Sequence, residues 1–249
     1  MACKFAKRFT TNTFLYTHRG IKHLKERIRR WSPCCRSLAS SGFRMQPLDR
    51  YPVSEIFSSF QGEGAHSGLY ATFIRFAGCN LRCSFCDEPG SLSVKGVSWI
   101  SSEEIVAELK SPYVILTGGE PTLLSLGALV SRLKAEGCRV HIETNATLCP
   151  DWVHALDWVT ASPKPPDYAV AEGLVERADE WKFVVDEGFS AGCIPREVFC
   201  SKKPLYLQPL GLDLASIQKT LRLLKELQGA RLSLQMHKVL GLLLNQEVL

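Results

Sequence analysis

No stretch of eighteen apolar residues occurs in this chain, so the sequence offers no membrane-spanning helix and no membrane partner. The apolar core of a secretory signal is missing as well. Internal repeats are absent, which excludes a solenoid. Basic charge is scarce where a nucleic-acid surface would need it. The 249 residues carry a net +5, but residues 1–45 hold eleven Lys/Arg against one acid, Glu26, which leaves the remainder at 5 − 10 = −5. A mildly acidic body predicts no nucleic-acid partner for it. A hydrophobic share of 45% suffices for a buried core, in one barrel-sized domain or two small ones.

Residues 1–45 are basic, acid-poor and dotted with Ser and Thr (Thr10, Thr11, Thr13, Ser37, Ser40, Ser41). That composition resembles an organelle transit peptide. Two other readings stay open: a translation start at Met45, or a basic arm that touches RNA. The segment is expected to be poorly ordered, and residues 46–249 to form the folded domain. The expected compartment is the cytoplasm, or an organelle if residues 1–45 direct it there.

There are ten cysteines. A secreted disulfide scaffold would be shorter and preceded by a signal peptide. Seven of the ten (Cys3, Cys34, Cys35, Cys138, Cys149, Cys193, Cys200) are scattered and read as small buried hydrophobes. The other three form Cys79-Asn-Leu-Arg-Cys83-Ser-Phe-Cys86.

Along the body, apolar runs alternate with longer helical patterns. Strands are expected at Ala71–Phe76, Tyr113–Leu116, Arg139–Glu143, Trp158–Ala161, Lys182–Val185, Leu205–Leu207 and Arg231–Leu234. Helices are expected at Ser102–Lys110, Thr122–Glu136 and Asp213–Gln228, with Gly137 and Gly229 as stops. The segments 166–180 and 187–200 are irregular. Such alternation implies parallel strands joined by crossover helices. Polar and glycine-rich residues follow the strands: Gly78-Cys79-Asn80, Thr117-Gly118-Gly119-Glu120, Thr144-Asn145, Ser162-Pro163-Lys164, Gln208-Pro209, then Gln235 and His237. In a parallel barrel these positions share the C-terminal mouth, where active sites are built.

The C-x₃-C-x₂-C spacing has a chemical reading of its own. Thiolates are soft ligands that suit iron–sulfur clusters and zinc. Three on one loop can hold three irons of a cubane and leave the fourth open to a small molecule. Structural zinc usually takes four ligands from two C-x₂-C knuckles, and no second knuckle exists here.

Cys79–Cys86, with the aromatic Phe85 before the last cysteine, resembles the signature of the radical S-adenosylmethionine (SAM) superfamily. Gly118-Gly119-Glu120 is similar to that superfamily's motif for the methionine amino group of the cofactor. More specifically, Glu55-Ile-Phe-Ser-Ser-Phe-Gln-Gly-Glu-Gly64 resembles the opening of the 7-carboxy-7-deazaguanine synthases of 7-deazapurine (queuosine) biosynthesis. Arg75–Cys83, Ser162-Pro163-Lys164-Pro165 and Leu232-Ser-Leu-Gln235-Met-His237-Lys238 agree with the same family. The likeness runs from about residue 51 to about residue 242.

The resemblance implies a partial TIM-like (β/α) barrel with about six parallel strands, a homodimer, and an electron donor such as flavodoxin or ferredoxin. The implied reaction converts 6-carboxy-5,6,7,8-tetrahydropterin to 7-carboxy-7-deazaguanine with release of ammonia. It uses a 5′-deoxyadenosyl radical from SAM at a [4Fe–4S] cluster. Cys79, Cys83 and Cys86 would hold the cluster. Phe85, Cys86, Asp87, Gly119, Glu120, Ser162, Lys164 and Gln208 would contact SAM. Phe60, Gln61, Gly62, Arg75, Thr117 and His237 would face the pterin, with Arg75 on its carboxylate.

Two departures stand out. Where the family has Thr or Ser as a Mg²⁺ ligand, this chain has Glu88, itself a good ligand for a hard cation. A pocket-lining proline of the family falls near Leu243 here. Two rival readings differ from the synthase. One is an activase that makes a glycyl radical on a partner protein, and the other is a zinc- or RNA-binding module.

Overall fold

The structure, a computed structural model, describes residues 49–244. The expectations for residues 1–45 lie outside the described residues. Within 49–244 the chain builds one nine-stranded sheet in the order β3-β1-β2-β4-β5-β6-β7-β8-β9. Strands β1 (Arg50–Phe60) and β2 (Tyr70–Phe76) form an antiparallel pair, and β3 (Ser98–Ser101) pairs antiparallel with β1. From β2 onward every pairing is parallel, through β4 (Tyr113–Gly118), β5 (Arg139–Thr144), β6 (Trp158–Ala161), β7 (Glu180–Val185), β8 (Leu205–Pro209) and β9 (Arg231–Leu232). That makes seven parallel strands, of which β9 is only two residues long.

Each strand alternates between two environments, as a period of two demands. On β7, Trp181, Phe183 and Val185 are fully buried in the hydrophobic core, whereas Glu180 and Lys182 face the opposite side. On β5, Val140 and Ile142 join the same core, while His141 and Glu143 alternate with them. Fully burying a side chain of this kind stabilises by about 1.5–3 kcal/mol, so the register of these strands is firmly set. The apolar set packs under the helices and the polar set lines the concave face. The sheet curves, because Glu63 and Gly64, after β1, hydrogen-bond Lys182 of β7 and Ser233 after β9. Its two edges, β3 and β9, do not pair with each other. The result is an incomplete α/β barrel.

Crossover helices are short. Helix α1 (Ser102–Ala107) starts at Ser101, whose hydroxyl accepts from Glu104 N at 3.2 Å while Glu104 Oε2 accepts from Ser101 N at 2.7 Å. The cap is therefore one residue earlier than Ser102. Helix α2 (Gly127–Ala135) begins later than Thr122 because Pro121–Leu123 forms a 3₁₀ turn fastened by Glu120. Gly137, at φ +80°, follows its end. The irregular segments contain α3 (Glu172–Arg177) and α4 (Arg196–Cys200). Helix α5 (Leu214–Glu226) is capped by Asp213, and α6 (Met236–Leu244) closes the described chain. Strands β1 and β3 were not anticipated from the pattern, because β1 carries polar residues on both faces (Ser54, Glu55, Ser58, Ser59). Among the described residues no helix is long and apolar enough to cross a membrane.

Candidate active site

A cavity of about 500 Å³ opens on the concave face, at the C-terminal ends of the parallel strands. Into it come residues from β1, the loop after it, β2, the cysteine loop, β4, β5, the loop after β6, β7, β8 and the start of α6. All three cysteines line it, as do Phe85, Asp87 and Glu88. Gly119, Ser162, Lys164 and Gln208 line it from successive strand ends. Phe60, Gln61, Gly62, Arg75, Thr117 and His237 line it too. Of the expected site residues only Glu120 does not. Leu243 is 73% exposed on α6 and forms no part of its wall.

The cysteine loop is held by backbone bonds to β1, to the 3₁₀ turn Pro89–Leu92 and within itself. Ala77 N donates to Pro52 O at 2.9 Å, Gly78 N to Ser91 O at 2.8 Å, and Cys86 N to Cys83 O at 3.2 Å. The three thiols are free and partly exposed. They face one cavity, yet among the described residues no three Cys, His, Asp or Glu side chains converge as a single metal ion would need. A cubane does not require that convergence, since each cysteine ligates a different iron. The donor set therefore fits a three-thiolate cluster better than mononuclear zinc.

Glu120 is 1% exposed and spends its carboxylate on the protein. It accepts from Thr122 N (3.0 Å), Thr122 Oγ1 (2.6 Å), Thr144 Oγ1 (2.7 Å) and the Asn145 backbone. The two glycines before it are needed for close packing. A Cβ on Gly118 would lie 2.0 Å from Phe76 O, and one on Gly119 would lie 2.2 Å from Gly78 O. Both contacts press on the backbone that enters the cysteine loop. Gly119→Ala is expected to cost about 1–3 kcal/mol and to lower iron loading after anaerobic reconstitution. Wild-type Tm and wild-type iron content would contradict this.

Arg75 is held on three sides. Its Nε lies 3.2 Å from Glu55 Oε2, its Nη1 lies 3.1 Å from Glu88 Oε1, and its guanidinium sits 5.3 Å from the Phe57 ring centroid. Glu88 therefore does not stand as a ready magnesium ligand, because a cation there would have to compete with the guanidinium. Burial pushes the Glu88 carboxyl up, and Arg75 opposes that.

The floor of the cavity is a buried charge network. Lys182, with a side chain only 5% exposed, binds Glu63 and Glu143, the latter at 2.7 Å. Gln61 Nε2 donates to Glu143 Oε1 at 3.1 Å. Gln235 Nε2 donates to Glu63 Oε1 at 3.0 Å and to Asp87 Oδ2 at 3.2 Å, and Lys238 also reaches Asp87. A polar chain thus joins the cysteine loop to the floor through the start of α6. Burial alone would raise the Glu63 carboxyl, but Lys182 and the amide donors outweigh it and hold it at about 2. Glu143 goes the other way, raised by burial despite Lys182. Lys182 stays protonated, because the two carboxylates outweigh its desolvation. Gly64, at φ +64°, has no room for a side chain, since a Cβ would lie 2.3 Å from Glu180 Oε1. Glu180 in turn accepts from Ala65 N and Thr160 Oγ1, both at 2.9 Å, and so seats the loop after β1 inside the barrel.

Lys164 donates to Ser162 O at 2.7 Å and to Ser162 Oγ at 2.6 Å. Burial, and then the charge of Lys182, lower its pKa. Burial also lowers that of His237, which keeps the imidazole neutral at pH 7. His141 is lowered to about 4 by burial and by His66, and these rings pack with Trp158. His141 is thus a packing residue of the sheet.

The fold and the site define a radical SAM enzyme. A family model described as Radical SAM superfamily matches residues 73–157. A 7-carboxy-7-deazaguanine synthase of Bacteroides thetaiotaomicron is 42% identical over 200 residues, covering 76% of this chain and 97% of that protein. The synthase of Aquifex aeolicus is 36% identical, over 76% of this chain and 93% of its own length. The crystal structure of QueE from Escherichia coli superposes with a TM-score of 0.61 at 27% identity, over 76% of this chain and 95% of that one. The chain belongs to the 7-carboxy-7-deazaguanine synthase family. Membership implies a [4Fe–4S] cluster and SAM.

Sequence reasoning passed over Lys182 and Glu143 as ordinary strand residues. The signal was available, because a charge inside an apolar strand run needs a buried partner if it points inward. It applies equally to Lys182 between Trp181 and Phe183 and to Glu143 after Ile142.

Proposed function

We propose that this protein converts 6-carboxy-5,6,7,8-tetrahydropterin to 7-carboxy-7-deazaguanine with loss of ammonia, in 7-deazapurine (queuosine) biosynthesis. The observation that carries the reading is Arg75, a half-buried guanidinium facing the same cavity as the three cysteines. When bound, the cluster and SAM supply a one-electron cleavage that gives a 5′-deoxyadenosyl radical able to take hydrogen from the pterin C6. Everything else falls to the chain. Arg75 takes the substrate carboxylate and fixes the ring relative to the cysteine loop. Gln61, Gly62, Thr117 and His237 frame the pterin, with Phe60 at the rim. Lys164, Ser162, Gly119, Gln208, Phe85 and Asp87 position SAM. Glu120 acts behind them as a positioning residue, since its carboxylate fixes Thr144 and Asn145.

Magnesium enters this reading only as an auxiliary cation that would have to displace Arg75 to reach Glu88, and no step is assigned to it. An external one-electron donor such as a flavodoxin or ferredoxin is included, because the starting electron comes from outside the chain. A homodimer and a cytoplasmic location belong to the same reading, with an organelle as the alternative if residues 1–45 are a transit peptide. Mass spectrometry of the native N-terminus decides that point. The activase and the zinc or RNA module are not favoured, given the family membership.

Substrate discrimination tests the proposal. Reconstituted protein with dithionite and SAM is offered 6-carboxytetrahydropterin or tetrahydropterin without the carboxylate. Consumption of the first alone, with release of ammonia, is expected. Equal consumption of both, or of neither, would overturn it.

A further inference from the structure

A guanidinium has two edges that can take a carboxylate through two parallel bonds, Nε with Nη2 and Nη1 with Nη2. In Arg75 the first edge has lost Nε to a hydrogen bond with Glu55, and Glu88 stands as an ion-pair contact at Nη1. Glu55 lies 3.2 Å from Nε and Glu88 lies 3.1 Å from Nη1. The two acids are held differently. Glu55 is the register partner of Arg75 across the β1–β2 ladder, so strand pairing keeps it in place. Glu88 sits in the loop between Cys86 and the 3₁₀ turn Pro89–Leu92. Its side chain is 41% exposed, against 16% for Arg75. The acid can therefore turn to solvent at little cost, whereas the arginine is fixed over Phe57, which stacks on Phe73 at 5.0 Å.

We propose that Glu88 is an internal competitor for the substrate's carboxylate, pairing with Arg75 at Nη1 before the ligand arrives and leaving it when a carboxylate-bearing ligand binds. The inference rests on the reading of Arg75 as the carboxylate partner. Two consequences follow from the geometry. Every carboxylate ligand binds less tightly than Arg75 alone would permit. A ligand without a carboxylate leaves the Glu88–Arg75 pair in place and meets no such competition, so the acid narrows the preference for the anion. Glu88 is thus a specificity-determining residue at a position where the family resemblance leads one to expect a hydroxyl.

The test uses the reconstituted holoenzyme with SAM bound, no reductant, and excess chelator so that no divalent cation takes part. The probes are 6-carboxypterin and unsubstituted pterin, followed by their fluorescence. Glu88→Gln and Glu88→Thr are expected to bind 6-carboxypterin about fivefold more tightly, the upper end of what a part-exposed ion pair is worth. Neither should change the affinity for pterin. In an Arg75→Met background, Glu88→Gln should have no effect on either probe. Variants at Glu88 that leave 6-carboxypterin binding unchanged, weaken it, or tighten both pterins alike would overturn the competitor role. Glu88→Gln protein that binds the two pterins equally would overturn the Arg75 reading and the competitor role with it.

Discussion

Cys83→Ala is expected to abolish the iron–sulfur absorbance of the reconstituted protein and all turnover, while leaving the fold in place. The loop is anchored by backbone bonds at Ala77, Gly78 and Cys86, and the thiol itself is free. Loss of that thiol should therefore change stability of the apo-protein by no more than about 1 kcal/mol. The cluster responds otherwise. Two thiolates cannot hold three irons of a cubane, so iron content falls with the residue. Iron and sulfide analysis alongside far-ultraviolet circular dichroism checks both halves. Full cluster content in the variant would refute the ligand assignment.

The second large effect is expected at Lys182. Lys182→Met leaves Glu63 and Glu143 buried without their cation, a change worth about 3–5 kcal/mol of stability. It also releases Gln61 and Gln235 from their seats, so pterin turnover should fall with it. The pH dependence carries a sign. With Lys182 present, Glu63 sits at about 2, below its ordinary 4.5. It therefore contributes stability above pH 4.5 that is lost as pH falls toward 2. Without Lys182 both carboxyls titrate above their ordinary range, and the native state then holds more protons than the unfolded one. Stability of the variant therefore drops as pH rises, and its deficit against wild type is larger at pH 8 than at pH 5. Adding Glu63→Gln should recover part of the deficit. Urea midpoints at the two pH values provide the check. A deficit independent of pH, with no recovery in the double variant, would contradict the charge account.

Much of this architecture could be read from the chain. All seven parallel strands correspond to apolar runs seen in the sequence, and most of the polar residues that follow them meet at one cavity. Strand β1 escaped because its alternation is hidden. Tyr51 and Val53 do reach the core, but a register shift between Val53 and Glu55 breaks the period, and Glu55 and Ser59 face the cavity. The exchange of partners at Arg75 was also illegible. Pairing with Glu55 follows from strand register, but Glu88 reaches the guanidinium only because the cysteine loop folds back over β2. Glu120 teaches the reverse lesson. Its motif suggests a ligand contact, yet its buried carboxylate is consumed by Thr122, Thr144 and Asn145. The glycines before it likewise answer to Phe76 and Gly78. A motif's spacing reports that residues are needed, while only packing reveals whether the need is chemical or structural.

The most direct measurement is the product itself. Anaerobically reconstituted protein, given dithionite, SAM and 6-carboxytetrahydropterin, should yield a compound with the mass of 7-carboxy-7-deazaguanine. Brown protein that cleaves SAM yet leaves the pterin unchanged would contradict the account.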